Sequence, residues 1–486
     1  MKVLLVSRDC QVGGVETFTL ALAQALARRR VECELFFFED GPLRAHLPAH
    51  VPARFGDLAA CHAHVRRGRF DVVHASSSDW QHGVAALRAG GARLVVTSHG
   101  WVVPAWNSTN CDAVVACSEW QAREQRRSCD LPVRTVLNGI DTGAFSPAAE
   151  GARADQLATR PWGAQAASDA PVVAWVGRGR ALVQKRIYTL AEIAPALRGA
   201  GLRLWIADPY GPAEVEKVAP EAARVLREAA EFWGGVGREE MPDFYRAVAA
   251  SGGCVLSTAS FEGLPLALAE AQACACPVVA SDVRGNDEVV DPARGGVLYP
   301  FDLDAARLAA LITGTVADAG GMRRRGEESA RMAREQFGIE RMADEYLSVY
   351  REALDGAPRT SAAARARQWL APAVAWGEYV EHRWAAGRSL HAASRLLAER
   401  GDARAAAELA RLSFVTAPTI YARPARLAYL LKAALAGLRS KSLRGGDGLA
   451  RAGAGVAAGD SRVGPESGGG SVVTEHAATA PGEGGR

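Results

Sequence analysis

Long apolar runs are missing from this chain. Nowhere do roughly 18 apolar residues follow one another, the length a helix needs to cross a bilayer, so no transmembrane helix is expected. The opening MKVLLVSRDC has too short an apolar core for a signal peptide. The nine cysteines are scattered and odd in number, with no C-x-x-C pair. Cys274 and Cys276 are two apart and point in different directions on a helix. Reduced thiols filling cores are therefore expected, not a disulfide frame or a zinc site. The net charge of +3 is too weak to argue for nucleic acid as the main partner. The turn after the first strand is not G-x-G-x-x-G, so the dinucleotide fingerprint is absent. What remains is 49% hydrophobic and 23% charged over 486 residues, enough for two cored domains and an appendage.

The first part alternates short apolar runs (KVLLVS, VECELFFF, DVVHAS, RLVVTSHG, AVVACS, RTVLNG) with helical patterns such as VETFTLALAQALARRR. Such alternation implies a parallel sheet wrapped by helices. Residues 151–171 are turn-rich and poorly periodic and read as a linker. Alternation restarts with PVVAWVG, LRLWIAD, EFWGGV, GCVLSTA, CPVVASD and GGVLYP, and the helix ERMADEYLSVYREAL is expected to close this second unit near Leu354. We divide the chain into domains 1–160 and 170–354, an Ala/Arg/Leu-rich helical extension over 360–440, and a Gly/Ser/Ala tail over 445–486 expected to be disordered.

Residues 260–271, SFEGLPLALAEA, carry the most chemistry. A helix is expected to start at Pro265, where the missing N–H costs nothing. Glu262 then sits just outside the helix N-terminus, and Glu270 one turn inside it. The free amides and dipole of that terminus attract an anion, while carboxylates are good acceptors for hydroxyls. The pattern suits a ligand with an anionic middle and hydroxylated ends, as in a nucleotide sugar. A loop glutamate and a solvent-facing helical glutamate would be the plainer alternative.

Other strand ends offer weaker signals. RDCQVGGVETF places Gly13 and Gly14 where a backbone can approach a ligand ahead of a helix N-terminus, although a plain tight turn is the preferred reading of this signal taken alone. VAWVGRGRALVQKR puts Arg178 and Lys185 past a strand end, where open α/β sheets bind ligands and two cations can neutralise a diphosphate; it is not a Walker loop, since no G-K-[ST] follows. His99 ends RLVVTSHG and would face the same crevice if the two sheets oppose each other. Asp302-Leu303-Asp304 has the D-x-D form of a metal site, but it precedes AARLAALI, so either aspartate is expected to cap that helix instead.

Taken in order, VGGVE, VVTSHG, DAVVACSE, VLNGIDTGAFSP, VGRGRALVQKR, FWGGVGREEMPDFYRA and SFEGLPLALAEA with CPVVASDVRGNDEVV resemble the retaining glycosyltransferases of family 4. The resemblance runs from Met1 to about Leu354 and implies the GT-B fold, two facing Rossmann-like domains. Carried over, Arg178 and Lys185 would hold the donor diphosphate. Glu262 would meet the donor sugar hydroxyls, and the backbone of Gly263, Leu264, Pro265 and Leu266 would meet sugar and phosphates. Glu270 would take the ribose hydroxyls, Gly13 and Gly14 would approach the diphosphate, and His99 would contact the sugar. The resemblance implies no metal, and front-face attack with the donor phosphate accepting the acceptor proton. The family often has Lys-Gly where this chain has Lys185-Arg186, and IADPYG replaces its usual glycine-rich turn.

The implied reaction moves a sugar from a nucleoside diphosphate to a glycan, glycolipid or small-molecule acceptor, as in surface polysaccharide synthesis. A nucleotide-sugar hydrolase or epimerase of the same fold is one rival. Another is a non-catalytic scaffold, for which GDARAAAELARLSFVTAP resembles one helix of a tetratricopeptide repeat; a stable array needs about three such units. Residues 420–444 combine an apolar stripe (Leu427, Leu430, Leu431, Ala434, Leu435, Leu438) with Arg423, Arg426, Lys432, Arg439, Lys441 and Arg444, and no acid between Arg423 and Arg444. Such a basic amphipathic helix can lie on an anionic membrane surface. The expected location is cytoplasmic, peripheral on the inner membrane face.

Overall fold

A computed structural model of the chain describes residues 1–11, 13–76, 91–99, 111–126, 132–148, 170–234, 236–356 and 427–435, with Arg395, Ala407 and Ala410 as single positions. It divides into two units, Met1–Arg383 and Trp384–Arg486. The expected linker, the tail expected to be disordered and most of the expected helical extension lie outside the described residues.

The first unit contains two parallel sheets. Strands β1 (Lys2–Asp9), β2 (Glu32–Glu39), β3 (Ala53–Phe55), β4 (Val72–Ser76), β5 (Arg93–Ser98), β6 (Ala113–Ala116) and β7 (Val133–Thr135) lie in the order β3-β2-β1-β4-β5-β6-β7. Strands β8 (Val172–Val176), β9 (Arg203–Ala207), β10 (Ala230–Phe232), β11 (Cys254–Ser257), β12 (Val278–Asp282) and β13 (Val297–Pro300) lie in the order β10-β9-β8-β11-β12-β13. The central strands read as continuous apolar runs because both faces are covered: Val3 to Val6 and Val172 to Trp175 are all buried. Strand order reverses at β1/β4 and at β8/β11, and the crevice outside such a switch point is where α/β sheets take ligands.

Helices α1 (Gly14–Arg28), α2 (Leu58–Gly68) and α3 (Glu119–Arg126) belong to the first sheet. Around the second lie α4 (Leu182–Lys185), α5 (Ile187–Gly199), α6 (Gly211–Val218), α7 (Pro220–Ala229), α8 (Met241–Ala250), α9 (Leu266–Ala273), α10 (Ala305–Ala317) and α11 (Ala319–Phe337). The eight described cysteines are free and buried, so they fill cores.

One helix departs from expectation. α12 (Ile339–Asp355), expected to close the second unit, crosses back and packs on the first sheet. Ile339, Met342, Tyr346 and Tyr350 join Phe18, Leu22 and Val95 in one core. The Tyr350 hydroxyl is 2.7 Å from His74 Nδ1, His74 Nε2 is 2.7 Å from Thr97 Oγ1, and Thr97 Oγ1 is 2.9 Å from the Tyr346 hydroxyl. At the crossing, Ile140 N–H donates to Phe337 and Ile339 N–H donates to Ile140. A Cβ at Gly139 would stand 2.7 Å from Ile339 Cα, so glycine is needed where the chain passes back.

In the second unit, residues 427–435 are helical, as the stripe predicted. Leu427, Leu431 and Leu435 are exposed while Ala433 is buried, so part of the stripe faces outward. Among the described residues no helix is long and apolar enough to cross a membrane.

Candidate functional site

A cavity of about 360 Å³ lies between the loops at the two switch points. It collects the sequence candidates from both halves: Gly13, Gly14 and His99 from the first, and Arg178, Lys185, Glu262, Gly263, Leu264, Pro265, Leu266 and Glu270 from the second.

On the first-half wall, Gly13 is the extended N-cap of α1, with no side chain capping the amides behind it. A Cβ built at Gly14 meets nothing within 4 Å, so this residue leaves space for a ligand at the backbone. His99 follows β5, and its ring lies 4.3 Å from that of Phe18. Burial pushes its imidazole down to about 3, so it is neutral at neutral pH, and its buried Nε2 has no protein partner. Asn138 adds a buried amide oxygen with no protein partner on the same wall.

On the second-half wall, β8 delivers Gly177-Arg178-Gly179 into the cavity mouth. Asp208, after β9, ties this turn down by accepting from the Gly179 N–H at 2.8 Å and the Tyr210 N–H at 2.9 Å. Arg178 itself is exposed. Lys185 ends α4, and its Nζ lies 2.6 Å from Glu262 Oε1; Gln184 Nε2 donates to Glu262 Oε2 at 3.1 Å. Glu262 is 6% exposed, so this is a largely desolvated ion pair. The two loops are laced together: Ser260 N–H donates to the Gln184 carbonyl, and the Thr258 hydroxyl to that of Lys185. Sequence reading assigned Lys185 and Glu262 to different parts of a ligand and did not expect them to meet.

Arg186 accounts for the departure from Lys-Gly. Its φ of 48° and ψ of 52° are left-handed, the conformation glycine adopts freely and other residues at a cost of about 1–2 kcal/mol. Its guanidinium lies 4.3 Å from the Phe301 ring centroid and donates to the Phe301 carbonyl at 3.2 Å, which offsets that strain.

Helix α9 begins one residue later than expected. Pro265 is the N-cap, with φ −75° and ψ 95°, and its carbonyl accepts from Leu268 N–H at 3.0 Å. The free amides of the first turn still face the cavity, with Glu262 outside and Glu270 inside the terminus. Glu270 is buried, and that burial pushes its carboxyl up to about 7, opposed by Arg238 and the Tyr245 hydroxyl. Arg238, Tyr245, Gln184 and Asn138 were not singled out from sequence. They lie in quoted segments (FWGGVGREEMPDFYRA, VGRGRALVQKR, VLNGID) whose roles depend on long-range placement. Asp302 and Asp304 do not line the cavity; Asp304 caps α10, accepting from Arg307 N–H at 2.9 Å. Among the described residues no cluster of His, Cys, Asp and Glu could hold a metal.

Two facing Rossmann-like sheets with a cleft at both switch points define the GT-B class. Solved structures agree on the fold. Anabaena HepE, crystallised with UDP and glucose, matches with a TM-score of 0.59 at 19% identity, over 72% of this chain and 99% of that one. Sucrose-phosphate synthase from Thermosynechococcus elongatus matches with a TM-score of 0.58 at 20% identity, over 72% and 99%. The model described as Glycosyltransferase Family 4 matches residues 12–144, and that described as Glycosyl transferases group 1 matches residues 170–318. Alpha-maltose-1-phosphate synthase of Mycolicibacterium smegmatis is 29% identical over 315 residues, 58% of this chain and 79% of that protein. D-inositol 3-phosphate glycosyltransferase of Xylanimonas cellulosilytica is 27% identical over 404 residues, 71% and 93%. The chain belongs to glycosyltransferase family 4. It is therefore a glycosyltransferase that uses a nucleotide sugar as donor.

Proposed function

We propose that the protein transfers a sugar from a nucleoside diphosphate to an acceptor hydroxyl with retention of anomeric configuration, without a metal. One observation carries this reading: two cations, the α9 N-terminus and two flanking carboxylates converge on one cavity. Arg178 and Lys185, with the backbone from Gly263 to Leu266, hold the diphosphate and stabilise it as its charge develops on leaving. Glu262 accepts from donor sugar hydroxyls and Glu270 from the ribose. Gly13 and Gly14 let the α1 N-terminus approach the diphosphate, and neutral His99 hydrogen-bonds the sugar. Lys185 is paired with Glu262, so the donor's phosphate and sugar would sit on either side of that pair. The C1–oxygen bond to the diphosphate breaks, the acceptor oxygen bonds to C1, and the acceptor proton passes to a diphosphate oxygen. The only carboxylates among the described cavity residues are Glu262 and Glu270, both from the second half, which supports attack on the leaving-group face.

For the acceptor we infer a glycan or glycolipid, reached at the cytoplasmic face of a membrane. The exposed Leu427, Leu431 and Leu435, on a helix whose flanking charges are all basic, support contact with anionic lipid. A thermal-shift panel of UDP-, GDP- and ADP-sugars tests the donor, since a ligand of the folded state raises stability by mass action. One nucleotide should raise the melting temperature and give a product of retained configuration. No shift with any nucleotide, or an inverted product, would overturn the reading. Flotation with anionic and neutral vesicles, comparing the full chain with one ending at Pro418, tests the location.

A further inference from the structure

A second set of contacts spans the cleft outside the cavity. Glu288 lies in the turn after β12. Its carboxylate accepts from the backbone N–H of Glu119 at 2.6 Å and of Trp120 at 2.7 Å, the opening amides of α3 in the other half. A carboxylate on two amides at a helix N-terminus makes charge-assisted hydrogen bonds aligned with the helix dipole. From the same helix, the Trp120 indole N–H donates to the carbonyls of Glu262 at 3.1 Å and Gly263 at 3.3 Å. Gly263 is where the two backbones meet: a Cβ there would stand 2.7 Å from the His99 carbonyl oxygen. The turn that carries Glu288 is itself fixed, with Asn286 buried and donating to the Ser281 carbonyl at 3.0 Å. Gly285 adopts a φ of +91°, and a Cβ on it would stand 2.3 Å from the Glu262 carbonyl oxygen.

We propose that Glu288 is a positioning residue for transfer. By holding the α3 N-terminus it latches the two halves closed, and through Trp120 it sets the Glu262–Gly263 loop against His99. Closure and the placement of the sugar-binding carboxylate are then one event, because both hang on the first turn of α3. Only the kinetic part of this proposal rests on the function proposed above.

The first test needs no donor. Pulsed electron paramagnetic resonance between labels on unnatural residues at the exposed positions Arg67 and Arg224 reports the distance between the halves in the full chain. Glu288→Gln keeps the shape but turns an amide N–H₂ against a backbone N–H. It should lengthen and broaden the distance distribution, and Glu288→Ala should do so further. Trp120→Phe keeps the ring and loses the donor, so it should widen the distribution less. The second test uses the donor found by thermal shift. Glu288→Gln should lower kcat by about 10- to 100-fold, the scale of an ångström-sized misplacement. Affinity for the free nucleoside diphosphate should hold within about threefold, because its proposed partners lie mainly in the second half. A lower melting temperature with unchanged distances in all three variants would reduce Glu288 to a structural contact and overturn the proposal. Altered distances in a protein that transfers no sugar would leave the latch standing and overturn the proposed function alone.

Discussion

The two walls of the cleft differ in charge. The second half contributes Arg178, Lys185, Arg238, Glu262 and Glu270; the first contributes backbone at Gly13 and Gly14, the amide of Asn138 and the ring of His99. The first wall is neutral by physical constraint as well as composition. Burial holds His99 down at about 3, so its ring is uncharged at neutral pH. A charge on a wall that closes over a ligand would be stripped of water at each closure, at a cost of several kcal/mol unless paired. Neutral polar groups escape most of that cost. On the proposed reading, the charged half holds the charged ligand and the neutral half meets it with uncharged polar groups.

The largest effect should come from breaking the pair at the centre of the charged wall. Lys185→Ala removes the cation proposed to meet the leaving group and leaves Glu262, which is 6% exposed, without its charged partner and with the Gln184 amide still donating to it. Loss of the electrostatic contact should lower kcat by about 10²–10³-fold. Loss of a buried partner should also destabilise the fold by roughly 3–5 kcal/mol. Steady-state rates and urea melts measure the two separately; a rate within threefold of the parent would remove Lys185 from the mechanism.

Glu270→Gln should trade stability against binding. Between the ordinary carboxyl value of 4.5 and about 7, the folded protein holds a proton on Glu270 that the unfolded chain has released. Stability therefore falls as pH rises through that window, by up to roughly 3 kcal/mol for this group. The amide lacks this term, so the variant should match the parent near pH 4.5 and exceed it at pH 8. Ribose hydroxyls donate better to the ionised form, so parent affinity should rise with pH through about 7. The variant should bind about tenfold more weakly above pH 7 and show a flat profile. A variant with the parent's pH profile would place the ribose elsewhere.

A smaller change separates the walls. Arg178→Ala should weaken a free nucleoside diphosphate by about tenfold and the nucleoside hardly at all, the scale of one hydrogen bond to a charged group. His99→Asn should leave both affinities unchanged and lower transfer alone. If His99→Asn weakens the diphosphate as much as Arg178→Ala does, the division of labour between the walls is wrong.

How much of this was legible in sequence depended on the range of each interaction. The Asp304 cap follows from a three-residue spacing, and the alternating strands and helices follow from local periodicity. The donor-side residues stood out because Glu262 to Glu270 is a single loop and helix. The Lys185–Glu262 pair joins residues 77 apart, and Glu288 reaches Trp120 across 168. No local pattern announces either partnership. Nor did the amphipathic face of α12 say which sheet it would cover; its tyrosines meet His74 and Thr97, far earlier in the chain. Arg186 is intermediate: a non-glycine residue where glycine was expected marks the position, but only the Phe301 contact explains how it is tolerated.

The smallest effects should come from the D-x-D element, which lies apart from both walls. Asp304 Oδ1 accepts from Arg307 N–H at 2.9 Å and Oδ2 lies 3.4 Å from Arg307 Nε. An N-cap of this kind contributes about 1 kcal/mol. Asp304→Ala should lower stability by that amount, measured by urea melts, and leave the transfer rate unchanged. If cations and helix amides neutralise the diphosphate, no divalent ion has a role left there, and EDTA should leave the rate within twofold. Complete loss in EDTA, restored by magnesium or manganese and matched by the loss in Asp304→Ala, would show instead that the capping carboxylate turns to a metal once the donor is bound.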